Sequence, residues 1–251
     1  MLDEGLRPMG HNTIQEAVTD NIRKAISEGQ FLPGEKLNYS ELARSMEVSI
    51  TPIREAMRVL DAQGLVAIST YKSASVASLT IEEIQQIYEI RKTLECVAIR
   101  EAVNNIEPDT LERLKQVVAD LDEAAAALSR DADPETVKIN VMNIQDLHRQ
   151  FHKIILIGAG NKFQLRIVEF LRGHLGPYFS FSAKVISESR QFRMDEHHGI
   201  MNAFAEKDAG LAASQMRKHL DITCETLVDY ILKQTARQSV TNKKVGKVYV
   251  N

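Results

Sequence analysis

Glu41-Leu42-Ala43-Arg44-Ser45-Met46-Glu47-Val48-Ser49-Ile50-Thr51-Pro52-Ile53-Arg54-Glu55-Ala56-Met57 is the stretch that decides the reading of this chain. Leu42, Ala43 and Met46 fall at helical spacing, and Val48-Ser49 breaks the run. Thr51 is a good helix N-cap, with Pro52 behind it at the first helical position, where a missing N–H costs nothing. Ile53, Ala56, Met57 and Leu60 form the inward stripe of a second helix, expected over Thr51–Gln63, and Arg54 and Arg58 project from another side. Two short helices joined by a tight turn, the second opening on hydroxyls and presenting arginines, read as a helix-turn-helix.

Upstream, residues 1 to 11 carry Gly5, Pro8 and Gly10 without periodicity and read as a loose arm. Ile14, Val18, Ile22, Ala25 and Ile26 share one helical face that ends at Gly29. Downstream of Gly64, the segments Leu65–Ser69 and Ala74–Ser78 flank Thr70-Tyr71-Lys72-Ser73 as a short hairpin. Three helices and this hairpin make a winged helix-turn-helix over residues 1–79. That segment holds eight Lys/Arg against ten Asp/Glu, so a DNA-binding surface must be local, built from Arg44, Arg54, Arg58 and Lys72 with the acids turned away.

Beyond Leu79 the pattern is helical throughout. Thr80-Ile81-Glu82-Glu83 is a capping box opening a long helix whose face carries Ile84, Ile87, Tyr88, Arg91, Leu94, Glu95 and Ala98. Pro108 starts another, running to the alanines at 124–127, and Asp133-Pro134 caps a third that ends at Gly158-Ala159-Gly160-Asn161. Further helices are expected over Asn161–His174, Pro177–Ser189, Gln191–Glu206 and Asp208–Gln234. The fold class is therefore mainly α, with an all-α bundle of six or seven helices over residues 80–234 and a polar, basic tail over 235–251. The only strands expected are those of the wing.

At 251 residues and 44% apolar, the chain has length and composition for real cores. It holds no apolar run near the ~18–20 residues of a membrane span. Met1-Leu2-Asp3-Glu4 is acidic, unlike a secretory signal. Cys96 and Cys224 read as buried thiols in a reducing cytoplasm. The net charge of −3 gives no general support to nucleic-acid binding.

Of seven histidines, six lie after residue 147. His148 and His152 sit four apart on the stripe Val137, Val141, Ile144, Phe151, Ile155, a spacing that lets both reach one metal ion. His197 and His219 lie on later helices; on spacing alone, satisfied core or surface histidines are the simpler reading of all four. Arg91, on an otherwise apolar face, needs an anion, and Glu95 at i, i+4 is the internal choice.

Pro33-Gly34-Glu35-Lys36-Leu37, Glu41-Leu42-Ala43 and Val48-Ser49-x-Thr51-Pro52-Ile53-Arg54-Glu55-Ala56-Met57 together resemble the winged helix of GntR-type bacterial transcription regulators. The chain departs from that family at Ile50, where Arg is usual, and at Ser73, where the wing tip usually has Gly. Residues 80 to about 232 resemble the FCD effector domain of the FadR-type branch. The resemblance rests on Tyr88–Glu95, Phe151-His152 with Gly158–Asn161, Glu196-His197-x-x-Ile200 and Met216-Arg217-x-His219-Leu220. Many members bind a divalent metal through one Asp and three His. The resemblance puts the histidines at His152, His197 and His219 and the Asp at His148; Asp146, two residues before His148, points about 200° round the helix from it. Either His148 replaces the carboxylate in a four-histidine site favouring Zn or Ni over Mn, or metal binding is weak or lost. The family also implies that Arg91 helps hold a carboxylate effector.

The function expected is a DNA-binding regulator, on the family analogy a repressor, homodimeric on a pseudo-palindromic double-stranded operator and controlled by a small organic acid. Ser49, Thr51 and Arg54 would meet phosphates and base edges, with Lys72 on flanking backbone. An enzyme is not expected. The alternative weighed is a helical-bundle metal-dependent enzyme of small carboxylates with an attached winged helix. Its di-iron form fails because no His follows a Glu by three residues.

Overall fold

The computed structural model describes residues 14–70, 72–128, 133–189 and 194–245; at 70, 180–184, 187–189 and 234–245 only the backbone is described. The arm expected over residues 1–11 lies outside these. The chain divides into two compact units, Met1–Ser78 and Leu79–Asn251.

The first unit runs α1 (Ile14–Ser27), β1 (Lys36–Asn38), α2 (Tyr39–Ser45), α3 (Ile50–Ala62), β2 (Val66–Thr70) and β3 (Ser73–Val76). Val18, Ile22 and Ile26 of α1 pack against Ile53, Ala56, Met57 and Leu60 of α3, so the two helical stripes read from sequence form the core. Asn38 caps α2, its Oδ1 accepting from the amides of Ser40 and Glu41. Glu47, at φ 54°, turns the chain between the helices, and the Val48 amide closes on the Ala43 carbonyl at 3.0 Å.

Four details differ from expectation here. The N-cap of α3 is Ser49, not Thr51, so Thr51 is the second helical residue and Pro52 the third. Both placements suit proline, because the first four amides of a helix have no acceptor within it. The helix accordingly ends at Ala62. Lys36-Leu37-Asn38 forms a third strand, missed because three residues show no periodicity; the sheet order is β1-β3-β2, all antiparallel. Ser73 is not at the wing tip. It lies in β3, paired with Asn38 and Thr70 and 3% exposed.

The second unit is a bundle of α4 (Ile81–Asn105), α5 (Pro108–Ala126), α6 (Pro134–Gly158), α7 (Lys162–Ser189), α8 (Asp195–Glu206) and α9 (Ala209–Val245). The capping box forms as expected, Thr80 accepting from the Glu83 amide and Glu83 from the Thr80 amide. Asp133 caps α6. The stretches expected as two helices, 161–174 and 177–189, are one helix with Pro177 inside it. Buried side chains on both sides of the proline, Val168 and Leu175 before it and Tyr178 after it, hold the helix through. Tyr178 also accepts from the Leu79 amide at 2.6 Å, tying α7 to the start of the unit. Helix α9 continues past 234 into the polar segment, as far as Val245. No helix among the described residues is long and apolar enough to cross a membrane.

Candidate functional site

In the first unit, Arg44 on α2, Ser49, Thr51, Arg54 and Arg58 on α3 or its cap, and Lys72 in the β2–β3 turn are all solvent-exposed. Burial of Ile53, Ala56, Met57 and Leu60 turns the opposite face of α3 outward. Arg54 and Arg58, one turn apart, both carry their charge close to Tyr39, the first residue of α2. Burial, and after it Asp61, raises the Tyr39 hydroxyl above its ordinary value, so it stays a neutral donor beside them. The leading turn of α3 therefore offers hydroxyls and guanidinium groups together.

In the second unit, α6 and α9 bring three imidazoles to one point. His148 and His152 project from α6, and His219 reaches them from α9. The ligand atoms of the three lie within 4.8 Å of one another. His219 Nε2 is 3.0 Å from His148 Nε2 and 3.2 Å from His152 Nε2. His197, on α8, borders the cluster with its ring 4.7 Å from that of His219, but its nitrogens do not join the converging group. Three of the four nitrogens expected are thus together. His198 faces outward to Asp122 at 2.9 Å, and Asp146 turns outward to Gln150 and Arg149, so neither is part of the cluster.

The residue that orders this centre is Glu95 of α4, 1% exposed. Its Oε2 is 2.6 Å from His152 Nδ1, and its Oε1 accepts from Arg91 Nε at 2.8 Å. A carboxylate at Nδ1 fixes that proton there and leaves the Nε2 lone pair of His152 facing the cluster. His219 Nε2 can then donate a proton to His148 or to His152, not to both. A cation would satisfy all three nitrogens at once. Ligands 2.0–2.1 Å from one tetrahedral ion stand about 3.3 Å apart, close to the two spacings that His219 Nε2 makes. Burial first, then the neighbouring histidine and arginine charges, holds His148, His152 and His219 well below the ordinary imidazole pKa, so they are neutral and ligand-competent near pH 7. The donor set fits a metal ion.

Arg91 makes the internal pair that its i, i+4 spacing with Glu95 allows, and its guanidinium lies over the Tyr88 ring at 4.9 Å. A second buried guanidinium, Arg172 on α7, was not singled out from the sequence. It is 6% exposed, and its charge acts on His148, His152 and Arg91 alike. The signal available was weak, because Arg172 sits in a run of mixed polarity with Glu169 one turn before it.

With the two sites in place, comparison with known proteins decides the family. The FCD domain matches residues 86–222, more than half of the chain, and the family of bacterial regulatory proteins termed gntR matches residues 14–76. The chain belongs to the GntR family of transcription regulators. Its pairing of winged helix and FCD domain is that of the FadR-type branch. It is 27% identical over 213 residues to the HTH-type transcriptional regulator YdhC of Bacillus subtilis, spanning 83% of this chain and 88% of that one. It is 27% identical over 207 residues to the HTH-type transcriptional repressor GlaR of Escherichia coli, spanning 79% and 89%. The solved structure of E. coli McbR/YncC superposes with a TM-score of 0.73 at 20% identity, covering 87% of this chain and 99% of that one, a likeness of fold. These relatives are transcription regulators, and this GntR-family chain is a transcription regulator.

Proposed function

We propose that this GntR-family regulator is a homodimeric cytoplasmic repressor released from its operator by a small organic acid bound beside a divalent metal ion. Residues 1–79 would bind DNA, and residues 80–234 would bind the effector and dimerise. The observation that carries the effector half is the convergence of His148, His152 and His219 inside the bundle, with Glu95 orienting His152. These residues would hold the ion, with His197 at the edge of the set. An all-nitrogen set favours Zn or Ni. The ion would supply a positive centre for an acid's carboxylate. On the DNA side, the exposed leading turn of α3 supports placing Ser49, Thr51 and Arg54 at phosphates and base edges, with Arg44, Arg58 and Lys72 on the backbone. Phe163, Ile167 and Phe170 form an exposed apolar stripe along α7, with Phe163 74% exposed, and this favours a second copy of the chain against the bundle.

An acid that prefers one arrangement of the dimer would shift operator affinity by about 1–3 kcal/mol. Gel shift on the DNA upstream of the chain's own gene tests the reading, using metal-loaded and chelator-treated protein with a panel of small acids. A shift that a carboxylate relieves only in metal-loaded protein is the expected result. Relief that is unchanged by chelation would remove the metal from the account, and no specific shift would remove the operator.

A further inference from the structure

We propose that Arg172, not Arg91, receives the carboxylate of the effector, and that Arg91 is a positioning residue for the metal ligands; this rests on the organic-acid reading given above. The distinction follows from where each guanidinium spends its hydrogen bonds. Arg91 Nε donates to Glu95 at 2.8 Å, and its plane is taken up by Tyr88. Glu95 in turn has both oxygens committed, one to Arg91 and one to His152. Arg91 therefore acts through Glu95 on the orientation of His152.

Arg172 makes no such hydrogen bond among the described residues. Glu169 Oε1, itself buried, stands 4.0 Å from Nε, an ion-pair distance beyond hydrogen-bond reach, and Glu95 acts on Arg172 through its charge. Nη1 of Arg172 is buried with no acceptor among the described residues. Helix α7 packs beside α4 and α6, and the charge of Arg172 acts on His148, His152 and Arg91. Burial, and after it the Arg91 charge, pushes the Arg172 guanidinium down to about 10 against the opposing pull of Glu95 and Glu169. A planar fork of donors is the natural complement of a carboxylate. With a divalent ion added, Arg91, Arg172 and the ion together outweigh Glu95 and Glu169, an excess of positive charge that an organic anion would neutralise.

The test uses the full-length, zinc-loaded protein, titrated at fixed ionic strength with acetate, glycolate, succinate and inorganic phosphate. Calorimetry gives affinity, and thermal unfolding gives stability with and without each probe. In wild type a carboxylate is expected to bind and to raise the midpoint. Arg172→Gln should bind that probe about 10- to 100-fold more weakly, the loss of a charge-assisted hydrogen bond. Without any probe its midpoint should stay near wild type, because the buried charge it loses has only a hydrogen-bond-free ion pair with Glu169 at 4.0 Å. Arg172→Lys, which keeps the charge and loses the fork, should also bind more weakly, and it decides the matter if the Gln variant fails to fold. Arg91→Gln should instead lower the midpoint without any probe.

Unchanged carboxylate affinity in either Arg172 variant would overturn the assignment, as would a response to phosphate alone. So would a large drop in the probe-free midpoint of both Arg172 variants, which would mark a purely structural arginine. Failure of every carboxylate to bind wild type would overturn the organic-acid reading itself, an outcome distinct from these.

Discussion

Glu95→Gln tests how much of the metal centre depends on one oxygen. The amide removes the anion that holds the Nδ1 proton of His152 and weakens the grip on Arg91. Loss of such an outer partner typically costs about 10- to 100-fold in metal affinity. Leaving the Arg91 guanidinium buried against a neutral group should cost about 3–5 kcal/mol of stability as well. Zinc titration followed by calorimetry separates the two effects. The imidazoles also set a pH dependence. The folded state holds His148, His152 and His219 well below the 6.5 of an unperturbed histidine, so below that pH the unfolded chain binds more protons. Stability of the metal-free protein should be level above about pH 6.5 and fall as the solution is acidified below it. Replacing His148 and His152 together by Gln should flatten that descent in a series of melts. At this scale the sequence showed what lies on one helix: the His148/His152 pair and the Arg91–Glu95 spacing are i, i+4 relations. The Glu95–His152 bond joins positions 57 apart. The place of Arg172 depends on α7 packing beside α4 and α6, which no local spacing encodes.

Among the elements, α3 carries the sharpest expectation. Arg54 is exposed on the first turns of a helix whose other face is fully packed, so Arg54→Ala removes no core contact. The variant should lose the sequence-specific gel shift while its melting midpoint stays near wild type, since surface changes usually stay within about 0.5 kcal/mol. Lys72, in the turn before β3, should behave differently: Lys72→Ala weakens binding equally on specific and random DNA and lowers the salt slope by about one. Equal losses on both DNAs for Arg54 would place it on phosphate alone. Helices α1, α4, α5 and α6 were legible because their signals are local: an apolar stripe in α1, a first-turn proline in α5 and side-chain caps in α4 and α6. The errors share a cause. Ser49 and Thr51 are both competent caps within two residues of each other, and proline tolerates either frame, so local sequence does not choose between them. Pro177 reads as a break until the burial of Leu175 and Tyr178 on either side is known. β1 exists because β3 offers it an edge, and three residues cannot announce that.

For the whole molecule, the separation of cores has a consequence that one measurement can read. The winged-helix unit buries Ile26, Ile53, Met57 and Leu60 in a cluster of its own, and the bundle buries Ile99, Leu114, Leu121 and Phe151 in another. A chain with two cores does not unfold as one two-state system, so scanning calorimetry should resolve two transitions. Every expected metal ligand lies in the second unit. A ligand that binds only the folded form stabilises it by about 2.7 kcal/mol at a hundredfold excess over its dissociation constant. For a unit of this size that corresponds to roughly 5–11 °C. Zinc should therefore move one transition by that amount and leave the other in place, and His152→Ala should abolish the movement. If both transitions move together, the metal's influence passes from the bundle into the DNA-binding unit without any effector. Metal binding would then be a direct input to operator affinity. If neither moves, the three imidazoles are a hydrogen-bonded core and the acid would have to be held by guanidinium groups alone.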